Sequence, residues 1–192
     1  LLGLVCGHCP GTYYTEFLCT LAGARFHNVQ SVGSRFQVSS VANDYQFPAL
    51  TYGTWSRPVG FQGMPAPIWN KQYVSYDACS YCDDVFAETA DAVLMDAWLE
   101  EFLPEPRGTS IVIVRNTQLR DVLESGCDKG LCALSPCPVE EAIVSQVSLV
   151  YRKKETIRYR MLVRQQKGGW LPMMQVQPTN QIHPSELREA RR

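Results

Sequence analysis

Cys79 to Trp98 reads CSYCDDVFAETADAVLMDAW, and how this stretch is read decides the fold. Two thiols three residues apart precede the acids Asp83, Asp84, Glu88 and Asp91, and an apolar run from Ala92 to Met95 leads to Asp96 and Trp98. The run predicts a strand. Sheet proteins place ligand contacts where such strands end, so Asp96 and Trp98 stand at a position of interest. A C-x-x-C in a chain with no secretory signature is a soft-metal or redox element before it is a structural disulfide.

Working outward, Thr109 to Arg115 carries Ile111, Val112, Ile113 and Val114 in unbroken succession, the pattern of a strand buried on both faces of a parallel or mixed sheet. Leu1 to Val5 is a further apolar run that ends at a second C-x-x-C, Cys6 and Cys9. Pro10, Gly11 and Thr12 then make a turn and helix cap, and Tyr13, Phe17 and Leu21 recur on one helix face until Gly23. Further helices are expected from Asn116 or Thr117 to Gly126, and from Ser135-Pro136 through Val139, Ile143, Val144, Val147 and Val150. In residues 24–74, Phe26, Val29 and Val32 suggest a strand, and the region punctuated by Pro48, Gly53, Pro58, Gly60, Gly63, Pro65 and Pro67 then reads as irregular, with short strands near Phe47 to Tyr52 and Gln72 to Ser75. The expected class is α/β, a mixed or mostly parallel sheet with flanking helices, and the expected organisation is one domain over 1–165 with an extension over 166–192. The bases Arg152, Lys153, Lys154, Arg158, Arg160 and Arg164 read as a solvated helix face, with a surface for an anionic cofactor or partner as the alternative, and the residues beyond Lys167 as a loose extension.

The 192 residues are enough for one well-buried domain, and the net charge of -1 carries no nucleic-acid signature. No run approaches the roughly 18 to 20 apolar residues of a membrane span. The eight cysteines are Cys6, Cys9, Cys19, Cys79, Cys82, Cys127, Cys132 and Cys137; with an ordinary apolar fraction they favour a reducing compartment, the cytoplasm. The chain opens in LLGLV without an initiator Met, a strand already in progress, so an upstream portion is expected.

Cys6, Cys9, Cys79 and Cys82 make two C-x-x-C pairs, the minimum for a four-thiolate site, which suits zinc and iron–sulfur clusters alike. A compact zinc-stabilised binding or assembly domain without turnover is one reading. A redox dithiol in CGHC, at the N-terminus of a helix, is another. Cys19 reads as packing in the first helix, and Cys127, Cys132 and Cys137 as buried free thiols. His8, His27 and His183 are scattered and read as structural.

The order Cys79-x-x-Cys82-x-Asp84, then Glu88 with Ala90-Asp91, a hydrophobic strand, Asp96-Ala97-Trp98, and a Gly108-Thr109-Ser110 strand ending in Val114-Arg115 resembles the C-terminal domain of the coenzyme F420 hydrogenase/dehydrogenase β-subunit family. Leu2 to Cys6, Ser145-Gln146 and Lys153-Lys154 also fall where that pattern leads one to expect them. The resemblance covers about 1–165. It implies an iron–sulfur flavoprotein that moves electrons between a [4Fe-4S] cluster and FAD, with coenzyme F420, ferredoxin or a similar donor; relatives include a plastid reductase of 7-hydroxymethyl chlorophyll, so a plastid stroma joins the cytoplasm as a location. Cys6, Cys79 and Cys82 match cluster-ligand positions, with the fourth ligand from an upstream Gly-x-Pro-Cys segment or from Cys9. Asp84, Glu88, Asp91, Asp96 and Trp98 become candidate cofactor contacts; for the acids, charge stabilisation at a helix N-terminus is the competing reading. A redox partner protein or small electron donor is implied, as is an upstream portion that completes the flavin site. The family often has Gly where this chain has Met95.

Overall fold

In the computed structural model, which describes residues 1–33, 36–37, 41–42 and 44–181, the apolar run Ala92–Asp96 is the middle strand of a three-stranded sheet. Leu2–Leu4 pairs with it in parallel on one side and Ser110–Val114 antiparallel on the other. In the middle strand Val93 is 0% exposed and Ala92 and Met95 are each 4% exposed, while Leu94 and Asp96 reach the surface. Ser110–Val114 is an edge strand, which corrects the expectation of a strand buried on both faces. Ile111 is its buried residue, while Val112, Ile113 and Val114 are half-buried. Its β-branched run records the preference of such side chains for a pleated surface, which edge and centre share.

The chain divides into two compact units, Leu1–Gly7, Tyr81–Phe102 and Gly108–Arg192 forming one, His8–Ser80 and Leu103–Arg107 the other. The first unit holds the mixed sheet and the helices Thr117–Asp128, Val139–Ser145, Val147–Tyr151 and Ile157–Gln166, which makes it α/β. Its core gathers Met95, Ala97, Ile111 and Ala142, with Val5, Phe86, Phe102 and Ile113 packed around them. Met95 thus spends its side chain on the core. The helix expected to run from Val139 to Val150 is two helices, because Gln146 leaves helical geometry at φ -118°. Gly3 permits a close crossing: a Cβ built on it would stand 2.5 Å from the Ala87 Cβ and 3.0 Å from that of Ala90.

In the second unit, the helix Thr12–Leu21 buries Tyr14 and Leu18 against Phe47, with Phe17, Tyr45, Phe61, Ile68, Trp69 and Val74 completing an aromatic cluster. Two small antiparallel sheets accompany it, Val29–Val32 with Ala49–Thr51 and Thr54–Trp55, and Phe36–Gln37 with Tyr45–Phe47 and Val59–Gly60. The strand expected near Phe47 to Tyr52 is therefore two strands parted by Pro48, which has no N–H for a ladder. No strand forms over Gln72 to Ser75: Gln72 turns the chain at φ 56°, and Ser75 makes a single bridge to Pro10. His8 packs against Trp69 with ring centroids 4.4 Å apart, while His183 lies outside the described residues.

Two outcomes follow from this packing. Gly3→Val should destabilise the protein by about 1–3 kcal/mol in denaturant unfolding, since both atoms opposing the new side chain are short Ala methyls that cannot swing away. Burial pushes the Tyr14 phenol from 10.0 up to about 12, and its hydroxyl donates to the Pro65 carbonyl at 3.3 Å. The folded state therefore keeps a proton that the unfolded chain surrenders earlier. This contribution is fully present below pH 10 and should fall away between pH 10 and about 12, a decline that Tyr14→Phe should lessen in unfolding measurements across that range.

Candidate functional site

The boundary between the units falls inside both C-x-x-C motifs, so each unit is described with its own thiols: Cys6 and Cys82 in the first, Cys9 and Cys79 in the second. In the second unit the turn entering the short 3₁₀ helix Asp77–Tyr81 lies beside the loop of Cys9. The Tyr76 N–H donates to the Cys9 carbonyl at 3.2 Å, and the Cys9 N–H donates to the Cys79 sulfur at 3.2 Å. The Cys79 S–H returns a weak contact to the Cys9 carbonyl at 3.9 Å. Two cysteines 70 positions apart in sequence are thereby held together.

In the first unit the Cys82 sulfur receives the Lys153 ammonium at 3.2 Å, and the same Nζ donates to the Asp84 carbonyl at 2.7 Å. Lys153 is 6% exposed, which overturns the solvated-face reading for this residue. The reason is helical phase. Leu149, Lys153, Ile157 and Met161 recur every four residues and are all buried, so the lysine lies on the apolar face of its own helix. That periodicity was available in the sequence and is the signal by which Lys153 could have been found.

Of the acids between the cysteines and the strand, Asp83 and Asp84 hold backbone, while Glu88 and Asp91 bond side chains. Asp84 caps the turn by accepting the Glu88 N–H at 3.2 Å. Glu88 pairs with Lys154 at 3.3 Å and accepts the Gln175 amide at 2.5 Å. Asp91 accepts the Asn116 amide at 3.3 Å. Asp83, passed over in the sequence, is buried and accepts the backbone N–H groups of Gln175 and Val176 at 2.5 and 3.1 Å. With Arg158 donating to the Gln177 carbonyl at 3.0 Å, residues 175–177 are moored to the unit, which corrects the reading of this part as loose; residues 182–192 of the expected extension lie outside the described residues.

At the far end of the middle strand, the Asp96 carbonyl accepts the Gln146 amide at 2.7 Å and the Ser145 hydroxyl at 3.1 Å, and the Trp98 N–H donates to that hydroxyl at 3.2 Å. Asp96 and Trp98 keep their side chains at the surface. Ser145-Gln146 forms the break between two helices, and the break turns both side chains onto the strand end.

The sequence motifs and this hydrogen-bonded frame converge with a family match over residues 1–140, to the C terminus of the beta subunit of coenzyme F420 hydrogenase/dehydrogenase. The chain belongs to that family. No curated protein matches it. Membership makes this family member an oxidoreductase-related domain and implies that it works with a partner. No helix among the described residues is long and apolar enough to cross a membrane. Within either unit, no three His, Cys, Asp or Glu side chains among the described residues converge on one point as metal ligands would.

The Lys153 contacts carry a measurable consequence. Lys153→Met should cost about 2 kcal/mol in denaturant unfolding, because it strips a charge-assisted donor from a half-buried carbonyl and a sulfur. Lys154→Met, which removes a surface pairing with Glu88, should cost less than about 1 kcal/mol.

Proposed function

We propose that the chain is the cysteine-bearing domain of an iron–sulfur flavoprotein oxidoreductase, with Cys6, Cys79 and Cys82 as cluster ligands and Cys9 as the fourth thiolate available on this chain. The observation that carries the reading is the treatment of the sulfurs: Cys82 receives the Lys153 ammonium and Cys79 receives the Cys9 N–H. Cluster thiolates carry negative charge, and N–H donors aimed at them stabilise it and tune the potential, so the donor set fits. When bound, the cluster supplies one-electron steps that FAD couples to two-electron chemistry.

This chain's residues then divide the work. Lys153 balances thiolate charge at Cys82 while fixing the Asp84 carbonyl. Asp96 and Trp98 present a carboxylate and an indole at the strand end, as flavin contacts, on backbone pinned by Ser145 and Gln146. Asp84, Glu88 and Asp91 act on the cofactors by orienting the loop between Cys82 and the strand. Electrons arrive from coenzyme F420, ferredoxin or a similar donor, small or carried by a protein partner.

The test is anaerobic reconstitution of the full chain with ferrous iron and sulfide. The expected result is a brown protein absorbing near 400 nm, with acid-labile sulfide equal to iron, and loss of both colour and sulfide in Cys79→Ser and Cys82→Ser. A colourless protein that retains stoichiometric zinc through the same treatment overturns the proposal and establishes the zinc-stabilised assembly domain in its place.

A further inference from the structure

Cys127, Cys132 and Cys137 take no part in the site above, and they are not the buried thiols that the sequence suggests. Cys127 is half-buried, and Cys132 and Cys137 are exposed. Cys127 and Cys132 meet: their sulfurs stand 3.4 Å apart.

The contact is built by the end of the helix Thr117–Asp128. Gly130 follows it in left-handed geometry at φ 68°, the Leu131 N–H donates to the Gly126 carbonyl at 2.9 Å, and the Gly130 N–H to the Cys127 carbonyl at 2.9 Å. This paired closure reverses the chain over the last helical turn. Cys132 therefore lands on that turn, with its sulfur 3.8 Å from the Leu123 carbonyl. Gly126 leaves it room, since a Cβ there would stand 3.3 Å from the Cys132 sulfur.

We infer that Cys127 and Cys132 form a reversible thiol–disulfide exchange site, whose substrates are low-molecular-weight disulfides of the glutathione class. Cys132, the more exposed sulfur, attacks as its thiolate and forms a mixed disulfide, releasing one small thiolate. Cys127 then attacks the Cys132 sulfur; the mixed S–S bond breaks, the second small thiolate leaves, and it takes up the Cys127 proton. Two protein thiols are oxidised to one disulfide while one small disulfide is reduced to two thiols, so atoms and electrons balance. The hydrogen bond with Cys132, followed by burial, pushes the Cys127 thiol up, consistent with Cys127 holding its proton until the second step.

Lys129 lies between the two cysteines, which makes the linkage readable. The Cys137→Ser chain is incubated with oxidised glutathione, alkylated and digested with trypsin without reduction. Peptides 121–129 and 130–152 should appear joined and lighter by two hydrogens than their sum, and dithiothreitol should part them. Cys127→Ser in the same background should instead carry glutathione on Cys132, while Cys132→Ser should carry markedly less on Cys127. Gly126→Ala, which crowds the Cys132 sulfur, should slow linkage severalfold. Free, alkylatable Cys127 and Cys132 after incubation, or linkage found only between different chains, would overturn the inference. Because the readout is a mapped peptide and not colour or iron content, its failure is separate from failure of the cluster proposal.

Discussion

The guanidinium of Arg115 donates to the carbonyls of Phe86 at 3.1 Å, Ala87 at 3.2 Å and Ala90 at 3.0 Å. The loop between Cys82 and the middle strand has few ladder partners of its own, and such carbonyls need donors when water is displaced. Arginine suits the task because its fork holds its donors in one rigid plane. The Arg115 N–H adds a bond to the Asp91 carbonyl at 2.8 Å, so the edge strand grips both the loop and the start of the middle strand. Ala87 sits at φ 44°, a conformation costing of order 1 kcal/mol or more for a residue with a Cβ. Arg115 on its carbonyl and Gly3 beneath its methyl hold it there. Three pieces distant in sequence are thus fixed by one another.

The same division of labour runs down the rest of the first unit. Polar side chains near the cysteines and the strand end bind backbone: Asp83 moors residues 175 and 176, Asp84 caps a turn, and Gln146 and Ser145 hold the strand end. Asp83 is buried and both of its N–H partners belong to residues 175 and 176, so its carboxylate serves the frame. Asp96 and Trp98 stand exposed at the strand end. Iron–sulfur chemistry asks little more of side chains than thiolates and well-placed donors, so a frame that spends its acids on architecture is compatible with it.

The sequence made the strands legible because apolar runs of five or so residues bounded by polar ones have few other readings. Leu2–Leu4, Ala92–Asp96 and Ser110–Val114 all lie where those runs stand. Which of them is central was not legible, since edge and middle strands draw on the same β-branched residues, and the order follows from pairing between distant segments. The small sheets of the second unit were only partly legible, through Val29 and Val32 and the run near Phe47: strands of two to four residues interrupted by Pro48 and turns at Tyr52 and Gly53 carry too short a period to register in full. Lys153 was concealed by its neighbours, because five other bases in the same stretch make a solvated face the natural reading of composition. Its phase relative to Leu149, Ile157 and Met161 contradicts that reading, and phase outranks composition when a helix packs on one side.

The resemblance itself is clarified by where its residues fall. Arg115 and Asp91 lie within the matched span and Ser145, Gln146 and Lys153 follow it; the side chains of Arg115, Ser145 and Gln146 bond to main chain, Asp91 is held through its own carbonyl, and Lys153 bonds to main chain and sulfur together. A pattern made of such residues is a signature of the frame. Its match therefore argues strongly for the architecture and only through the cysteines for the chemistry, because a frame can outlive the reaction it once served. Lys153 is the exception that joins the two. An ammonium withdrawn from water costs several kcal/mol unless something negative or strongly accepting meets it. One carbonyl at 2.7 Å is partial compensation, and the other acceptor it meets is the sulfur of Cys82 at 3.2 Å. The sulfur best offsets the buried charge when it is an anion, which is the state a cluster or metal ligand adopts, so the lysine is where the frame and the proposed chemistry make the same demand.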